Sequence, residues 1–225
     1  MESCLHQTVS IVIGGEAPTN PVLQRILHGC SFLIAADSGF DTVLDAGLEP
    51  DLVIGDMDSL VHRESLRKMD PDRVIKYPKE KDFSDTELAI QFALERGATE
   101  LLILGGGGGR LDHTLSIIHI VSRLSVPVFW ITKYDELFML FPGQTSLAKM
   151  KDRRVSFTPL GQTHTVCNSQ GLAWDLKDVI WQEMPMSLSN VGIQETVTVT
   201  VQEGSLLCIV ELTENHRTQY ELKRR

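Results

Sequence analysis

Aromatic residues are scarce, 6% of 225, and the four cysteines (Cys4, Cys30, Cys167 and Cys208) include no CxxC pair. A disulfide framework or a thiolate metal site is therefore not expected, and a reducing cytoplasm suits the chain best. Long hydrophobic runs are missing too: no stretch approaches the ~20 apolar residues of a membrane-spanning helix. The start, Met1 to Gln7, has no basic residue leading into an apolar segment, so no signal peptide is expected. Positive charge is the last shortage. Twenty-one Lys and Arg face 30 Asp and Glu, a formal net charge of −9. Residues 1–112 hold 19 acids against 10 bases and carry all of it, whereas residues 113–225 hold 11 of each. Nucleic-acid affinity rests on Lys and Arg neutralising phosphates, so that class of partner is set aside. An acidic half is either ordinary solvated surface or a set of carboxylates gathered to hold cations.

What the chain does have is alternation. Short β-branched runs (Val9–Ile13, Phe32–Ala36, Leu52–Ile54, Arg73–Tyr77, Leu101–Leu104 and Val128–Ile131) are separated by helical stretches. The predicted helices are Pro21–Leu27 with Asn20 as cap, Phe40–Ala46 closed by Gly47, Ser84–Arg96 and Leu111–Leu124. Ser84 with Glu87 three residues later reads as a capping box, and Gly97 as the stop. Near-continuous apolar strands alternating with helices predict an α/β unit, a mostly parallel sheet flanked by helices in a Rossmann-like three-layer arrangement. From about residue 135 the helical period fades. Arg154–Phe157, Gln162–Cys167, Thr196–Val201 and Leu206–Leu212 read as strands, so residues 1–134 are expected to form the α/β domain and residues 135–225 an all-β one. The charged tail from Glu214 is expected to fray.

The unusual residues follow strands, at the sheet edge where open α/β folds bind ligands. Five glycines, Gly105–Gly109, stand between a strand and a helix, which exposes backbone N–H groups to an anion. The run is neither a Walker A loop, since Arg110 holds the Lys position with no Ser or Thr after it, nor a GxGxxG fingerprint. Asp56 and Asp58 are two apart, and an extended segment would turn both side chains the same way. With Asp37, Asp85 and Asp112 predicted at the same edge, these carboxylates would repel one another without a cation. Hard oxygen ligands suit Mg²⁺, and Mg²⁺ beside a glycine cradle points to a nucleoside triphosphate and phosphoryl-type transfer. Arg110, Lys79 and Lys81 are the candidates to balance phosphate charge. A phosphatase using Asp56 as nucleophile, and a non-enzymatic nucleotide sensor, stay open as alternatives.

Ala-Asp-Ser-Gly at 36–39, Gly-Asp-Met-Asp-Ser at 55–59, Lys-Asp-Phe-Ser-Asp at 81–85 and Gly-Gly-Arg-Leu-Asp-His at 108–113 resemble, in this order, the motifs of the thiamin pyrophosphokinases. Gly171-Leu172-Ala173-Trp174-Asp175-Leu176 and Ser187-Leu188-Ser189-Asn190 extend the resemblance into the second half. It implies transfer of the diphosphoryl group of ATP to the hydroxyl of thiamin, giving thiamin diphosphate and AMP, with Mg²⁺. It implies a β-sandwich as the thiamin-binding second domain, and a homodimer with the thiamin site shared between subunits. Carried over by position, Asp56, Asp58, Asp85 and Asp112 are the catalytic and metal residues. Asp37, Ser38, Lys79, Lys81, Gly107, Gly108, Gly109 and Arg110 bind ATP, while Ser187, Ser189, Asn190 and Trp174 bind thiamin. The chain departs from the family pattern at Met57 for Phe, at Ser84 for Thr, and at Cys208, where some members place a stacking Trp.

Overall fold

β-Branched and leucine-rich segments bury both faces when helices cover a sheet, and five of the six predicted do so here, the edge segment Val74–Lys76 being only half-buried. A computed structural model describes residues 7–160, 164–179, 181, 186–213 and 219–223. The chain divides into two compact units, residues 1–133 and 134–225. In the first, β1 (Thr8–Val12), β2 (Leu33–Ala36), β3 (Leu52–Gly55), β4 (Val74–Lys76), β5 (Glu100–Leu104) and β6 (Val128–Ile131) alternate with α1 (Asn20–Leu27), α2 (Gly39–Asp45), α3 (Arg63–Lys68), α4 (Asp85–Glu95) and α5 (Leu111–Arg123). The strand order is β6-β5-β1-β2-β3-β4, and every neighbouring pair is parallel. Val9, Ile11, Val12, Ile34, Val53, Ile54, Leu101 and Ile103 lie at or below 1% exposure, which accounts for the apolar runs. Each such side chain contributes about 1.5–3 kcal/mol of burial free energy.

The order reverses between β1 and β5. Strands β2 to β4 build outward on one side of β1, while β5 and β6 build on the other, which leaves a switch point where two loops diverge. Helix α4 starts at Ser84, whose hydroxyl accepts from Glu87 N while the Glu87 carboxylate accepts from Ser84 N, a complete capping box. Asn20 does not cap α1. It is the first helical residue, and its amide donates to Asp45 O at 2.8 Å instead. Helix α3 was not anticipated, because Arg63–Lys68 buries no residue and so carries no apolar stripe.

The second unit is antiparallel. One sheet runs β11 (Ser187–Val191), β9 (Arg154–Pro159), β13 (Leu206–Glu211), β7 (Asp135–Leu140); the other runs β10 (Val166–Gln170), β12 (Thr196–Glu203), β8 (Gly143–Ala148), β14 (Gln219–Lys223). In β12 Val197, Val199 and Val201 are buried while the intervening threonines are partly exposed, as the alternation predicts. Residues 219–223 pair with β8, so part of the tail is strand rather than frayed chain. Met1 to His6, the start of the strand expected from Gln162, and Glu214–Thr218 lie outside the described residues. Cys30, Cys167 and Cys208 are free thiols. Among the described residues no helix is long and apolar enough to cross a membrane.

Candidate functional site

At the carboxyl ends of the parallel strands the backbone leaves its regular geometry. Asp37 follows β2 with φ 45°, donates its N–H to Ile54 O at 2.8 Å and accepts Phe40 N at 3.0 Å, so its side chain is fixed at the mouth of β2 and β3. Gly55 ends β3 at φ 152°, and a Cβ there would stand 3.2 Å from the Asp37 backbone, which lets the two strand ends approach. Met57 sits at φ 64° and is buried. A bulky residue in the left-handed region costs about 1–2 kcal/mol. That turn makes Asp58 N donate to Asp56 Oδ1 at 3.0 Å. The two carboxylates therefore converge through a left-handed turn at Met57, not through the extended segment expected from their spacing.

Asp37, Asp56 and Asp58 each place a carboxylate oxygen within 4.8 Å of the others, the one such acidic grouping among the described residues. The loop that carries the last two is tied down from α2. Ser59 Oγ donates to Asp37 Oδ2 at 2.6 Å, and Asp41 accepts Val61 N and His62 N at 2.9 and 2.8 Å. Arg63 Nη2 donates to Asp58 O at 2.6 Å. Two lysines from the loop after β4 answer the negative charge. Lys79 Nζ lies 2.5 Å from Asp58 Oδ2, holding the Asp58 carboxyl below its usual value. Lys81 Nζ lies 3.1 Å from Asp85 Oδ1 and 3.8 Å from Asp56 Oδ2. Burial nonetheless pushes the Asp85 carboxyl up; Lys81 opposes the rise, and the charges of Asp37 and Asp56 add to it. Asp37 Oδ1 is buried without a hydrogen bond, and the enclosed Asp85 Oδ1 is met by the Lys81 ammonium. An acidic trio with an unpartnered buried oxygen on Asp37, and the Asp85 carboxylate near by, is a donor set that a hard divalent cation fits.

The glycine loop supplies the opposite wall. Gly105 (φ 103°) has no room for a side chain, since a Cβ would meet Ile13 O at 2.4 Å, and its N–H donates to Ile131 O at 3.0 Å. Its carbonyl accepts the indole N–H of buried Trp130 at 2.7 Å. Gly106 N donates to Gly14 O at 2.8 Å and Gly107 N to Glu16 O at 3.3 Å. Gly107 is thus engaged in a bridge and does not line the cavity, whereas the N–H groups of Gly108 and Gly109 make no bond within the described residues. A cavity of about 850 Å³ lies between these walls, lined by Asp37, Ser38, Asp56, Lys79, Lys81, Asp85, Gly108, Gly109 and Arg110 among the expected residues. Gly14, Gly15, Asp82, Phe83, Thr86 and His113 line it as well. Gly14 and Gly15 were missed as site residues, although their place after β1 at the switch point marks them.

Asp112 stands apart from the trio. Its carboxylate takes Arg110 Nε and Nη2 at 3.1 and 2.6 Å and His113 N at 3.0 Å, and the fork of Arg110 holds its pKa down to about 2. The guanidinium fork expected for phosphate is closed on Asp112.

In the second unit Asn190 is buried at 1% exposure. Its Oδ1 accepts Trp174 N and Val191 N at 3.2 and 2.9 Å, and its Nδ2 donates to Trp174 O and Ser187 Oγ at 2.7 and 3.4 Å. Trp174, one of the expected thiamin residues, is 64% exposed, whereas Trp130 and Trp181 are buried. Ser189 (φ 56°) sits in a register shift of β11 and donates its N–H to Ser156 Oγ at 3.0 Å. Cys208 is fully buried in β13, between Phe138 and Phe157 on the flanking strands, so its own side chain does not reach the surface.

Comparison with known proteins matches the same two halves. The family model described as "Thiamin pyrophosphokinase, catalytic domain" matches residues 23–129, and "Thiamin pyrophosphokinase, vitamin B1 binding domain" matches residues 144–206. A thiamine pyrophosphokinase of Bacillus subtilis is 30% identical over 210 residues, covering 90% of this chain and 98% of that one. The crystal structure of a B. subtilis thiamine pyrophosphokinase is similar with a TM-score of 0.79 at 28% identity, covering 91% of this chain and 99% of that one. That of a Geobacillus thermodenitrificans thiamin pyrophosphokinase gives 0.77 at 27%, covering 92% and 98%. With both domains matched in order and a relative aligned over nearly its whole length, this chain belongs to the thiamin pyrophosphokinase family and is an enzyme, a diphosphotransferase kinase.

Proposed function

We propose that the chain transfers the diphosphoryl group of ATP to the hydroxyl of thiamin, giving thiamin diphosphate and AMP, in a reaction that needs Mg²⁺. The observation that carries this reading is the cavity at the switch point. It sets the carboxylates of Asp37, Asp56 and Asp85 in one chamber with two unengaged backbone N–H groups of a glycine loop. Asp58 does not line the chamber, but it has a carboxylate oxygen within 4.8 Å of those of Asp37 and Asp56. Asp37, Asp56, Asp58 and Asp85 would hold Mg²⁺, which when bound draws charge from phosphate oxygens. Asp112, assigned to that set by motif, sits with Arg110 in a pair that would open to let the guanidinium reach phosphate. Gly108 and Gly109 N–H groups bind phosphate oxygens, as amides beside a helix start do. One carboxylate of the site, Asp85 or Asp58 by motif, would accept the proton of the attacking hydroxyl. In-line attack on the β-phosphorus breaks its bond to the bridging oxygen, which leaves on AMP.

The second unit is read as a β-sandwich that supplies thiamin-binding groups. Trp174 and Ser189 belong to that surface, while Ser187 and Asn190 brace it from behind. The chain is further read as a cytoplasmic homodimer whose subunits share the thiamin site. Incubating pure protein with ATP, MgCl₂ and thiamin and following nucleotides and thiamin esters by chromatography tests the reaction. Equimolar AMP and thiamin diphosphate are expected. ATP-independent phosphate release would return the site to a phosphatase, and binding of both ligands without turnover to a sensor.

A further inference from the structure

Lys81 is the most enclosed cation of the cavity. Its side chain is 12% exposed, against 78% for Lys79 and 69% for Arg110. Its ammonium donates to Pro78 O at 3.2 Å and forms ion pairs with Asp85 Oδ1 at 3.1 Å and Asp56 Oδ2 at 3.8 Å. Both carboxylates are themselves enclosed, at 20% and 15% exposure, so solvent screens this contact far less than the exposed Lys79–Asp58 pair. A long side chain wedged between two acidic groups of a divalent-cation site fills the position the ion would neutralise.

We propose that Lys81 is a built-in stand-in for that cation. This rests on the metal reading above. Without nucleotide, the Lys81 ammonium holds Asp56 and Asp85 together against their mutual repulsion. A divalent ion on Asp56 and Asp85 repels the ammonium and competes for the oxygens it faces, so Lys81 withdraws when an ion engages them. The polyphosphate then offers the densest negative charge in the cavity, and the withdrawn ammonium passes to it. Binding of ion and nucleotide is thereby coupled: the ion alone competes with Lys81, whereas ion and triphosphate together satisfy both. The same lysine weakens metal binding to the free enzyme and strengthens binding of nucleotide.

Mn²⁺ titrations followed by the EPR signal of the free ion, without nucleotide, test this on wild type, Lys81→Met, Lys81→Gln and Lys79→Met. Loss of Lys81 is expected to tighten Mn²⁺ about tenfold or more, and loss of exposed Lys79 by much less. The Lys81 variants should also raise the KM for ATP and melt at lower temperature in EDTA, with Mn²⁺ restoring the melt. In wild type, amine-labelling of Lys81 read by mass spectrometry should rise several-fold on saturation with Mg²⁺ alone, a measurement that needs no folded variant. Unchanged or weaker Mn²⁺ binding by both Lys81 variants, or Lys81 labelling indifferent to Mg²⁺, overturns the inference. Failure to form AMP at all overturns instead the functional reading on which it rests.

Discussion

The first unit leaves polar atoms wanting partners, and the second leaves almost none. At the carboxyl ends of the parallel strands Asp37 Oδ1 is buried without a hydrogen bond, the carboxyl of Asp85 is raised by burial despite Lys81 at 3.1 Å, and Asp37 and Met57 adopt left-handed backbone. In the antiparallel unit the buried amide of Asn190 has all of its partners, and buried Arg153 meets Glu136 at 3.6 Å and donates Nε to Glu211 O at 3.2 Å. Burial of a charge or a polar group is tolerable when partners are present and costly when they are absent. The second unit has resolved that cost within the chain. The first has deferred it to something that arrives, and this asymmetry separates a reactive site from a scaffold more sharply than exposure does.

Substitutions in the two units should consequently report on different things. Asp56→Asn is expected to reduce AMP formation about a thousandfold while leaving the melting temperature equal or higher, since it removes a repelling charge. A simultaneous collapse of both would break the comparison. In the second unit Arg153→Met strands Glu136 and should lower stability by about 3–5 kcal/mol in urea melts, with most of it recovered in the double variant Glu136→Leu, Arg153→Met. A smaller effect concerns acid. Burial raises the Asp85 carboxyl in the folded state, so the native protein holds more protons than the unfolded chain above the ordinary carboxylate range. That contribution is full below the unfolded value and fades as pH rises through the folded one. Melting curves of the metal-free protein across this window should flatten in Asp85→Asn. Asp112 has the opposite sign and the least weight. Its folded value is about 2, so its contribution is present above the unfolded value and lost as pH falls toward 2. Because the group is exposed that contribution is small, so Asp112→Asn should lower the neutral-pH melt only slightly, and the two proteins should converge as pH falls toward 2.

Much of the fold is legible because burial writes it into composition. Ile11, Ile34, Val53 and Ile103 are buried on both faces, and runs of such residues admit little else. The start of α4 is equally plain, since Ser84 and Glu87 act locally. What escapes notice is set by distant or exposed partners. Strand β11 has Leu188 at 68% exposure, and β8 opens on Gly143-Gln144, neither of which shows an apolar pattern. Asp37 joins Asp56 and Asp58 only through strand neighbours, a convergence that linear spacing does not contain. The glycine run announces a phosphate loop, yet only the fold tells which N–H groups Gly14, Glu16 and Ile131 already occupy. Asn190 and Trp174 were both marked by motif, but their roles divide by burial: the amide is a brace and the indole is surface.

The hydrogen bond from the Trp130 indole to Gly105 O also gives the molecule an optical gauge. The chain has three tryptophans, so a Trp174→Phe, Trp181→Phe variant would keep a single fluorophore, clamped to the first residue of the glycine loop. Its emission would follow that carbonyl as the loop takes up a polyanion. The arrival of nucleotide could then be timed in a stopped-flow cuvette without attaching a dye or waiting for product.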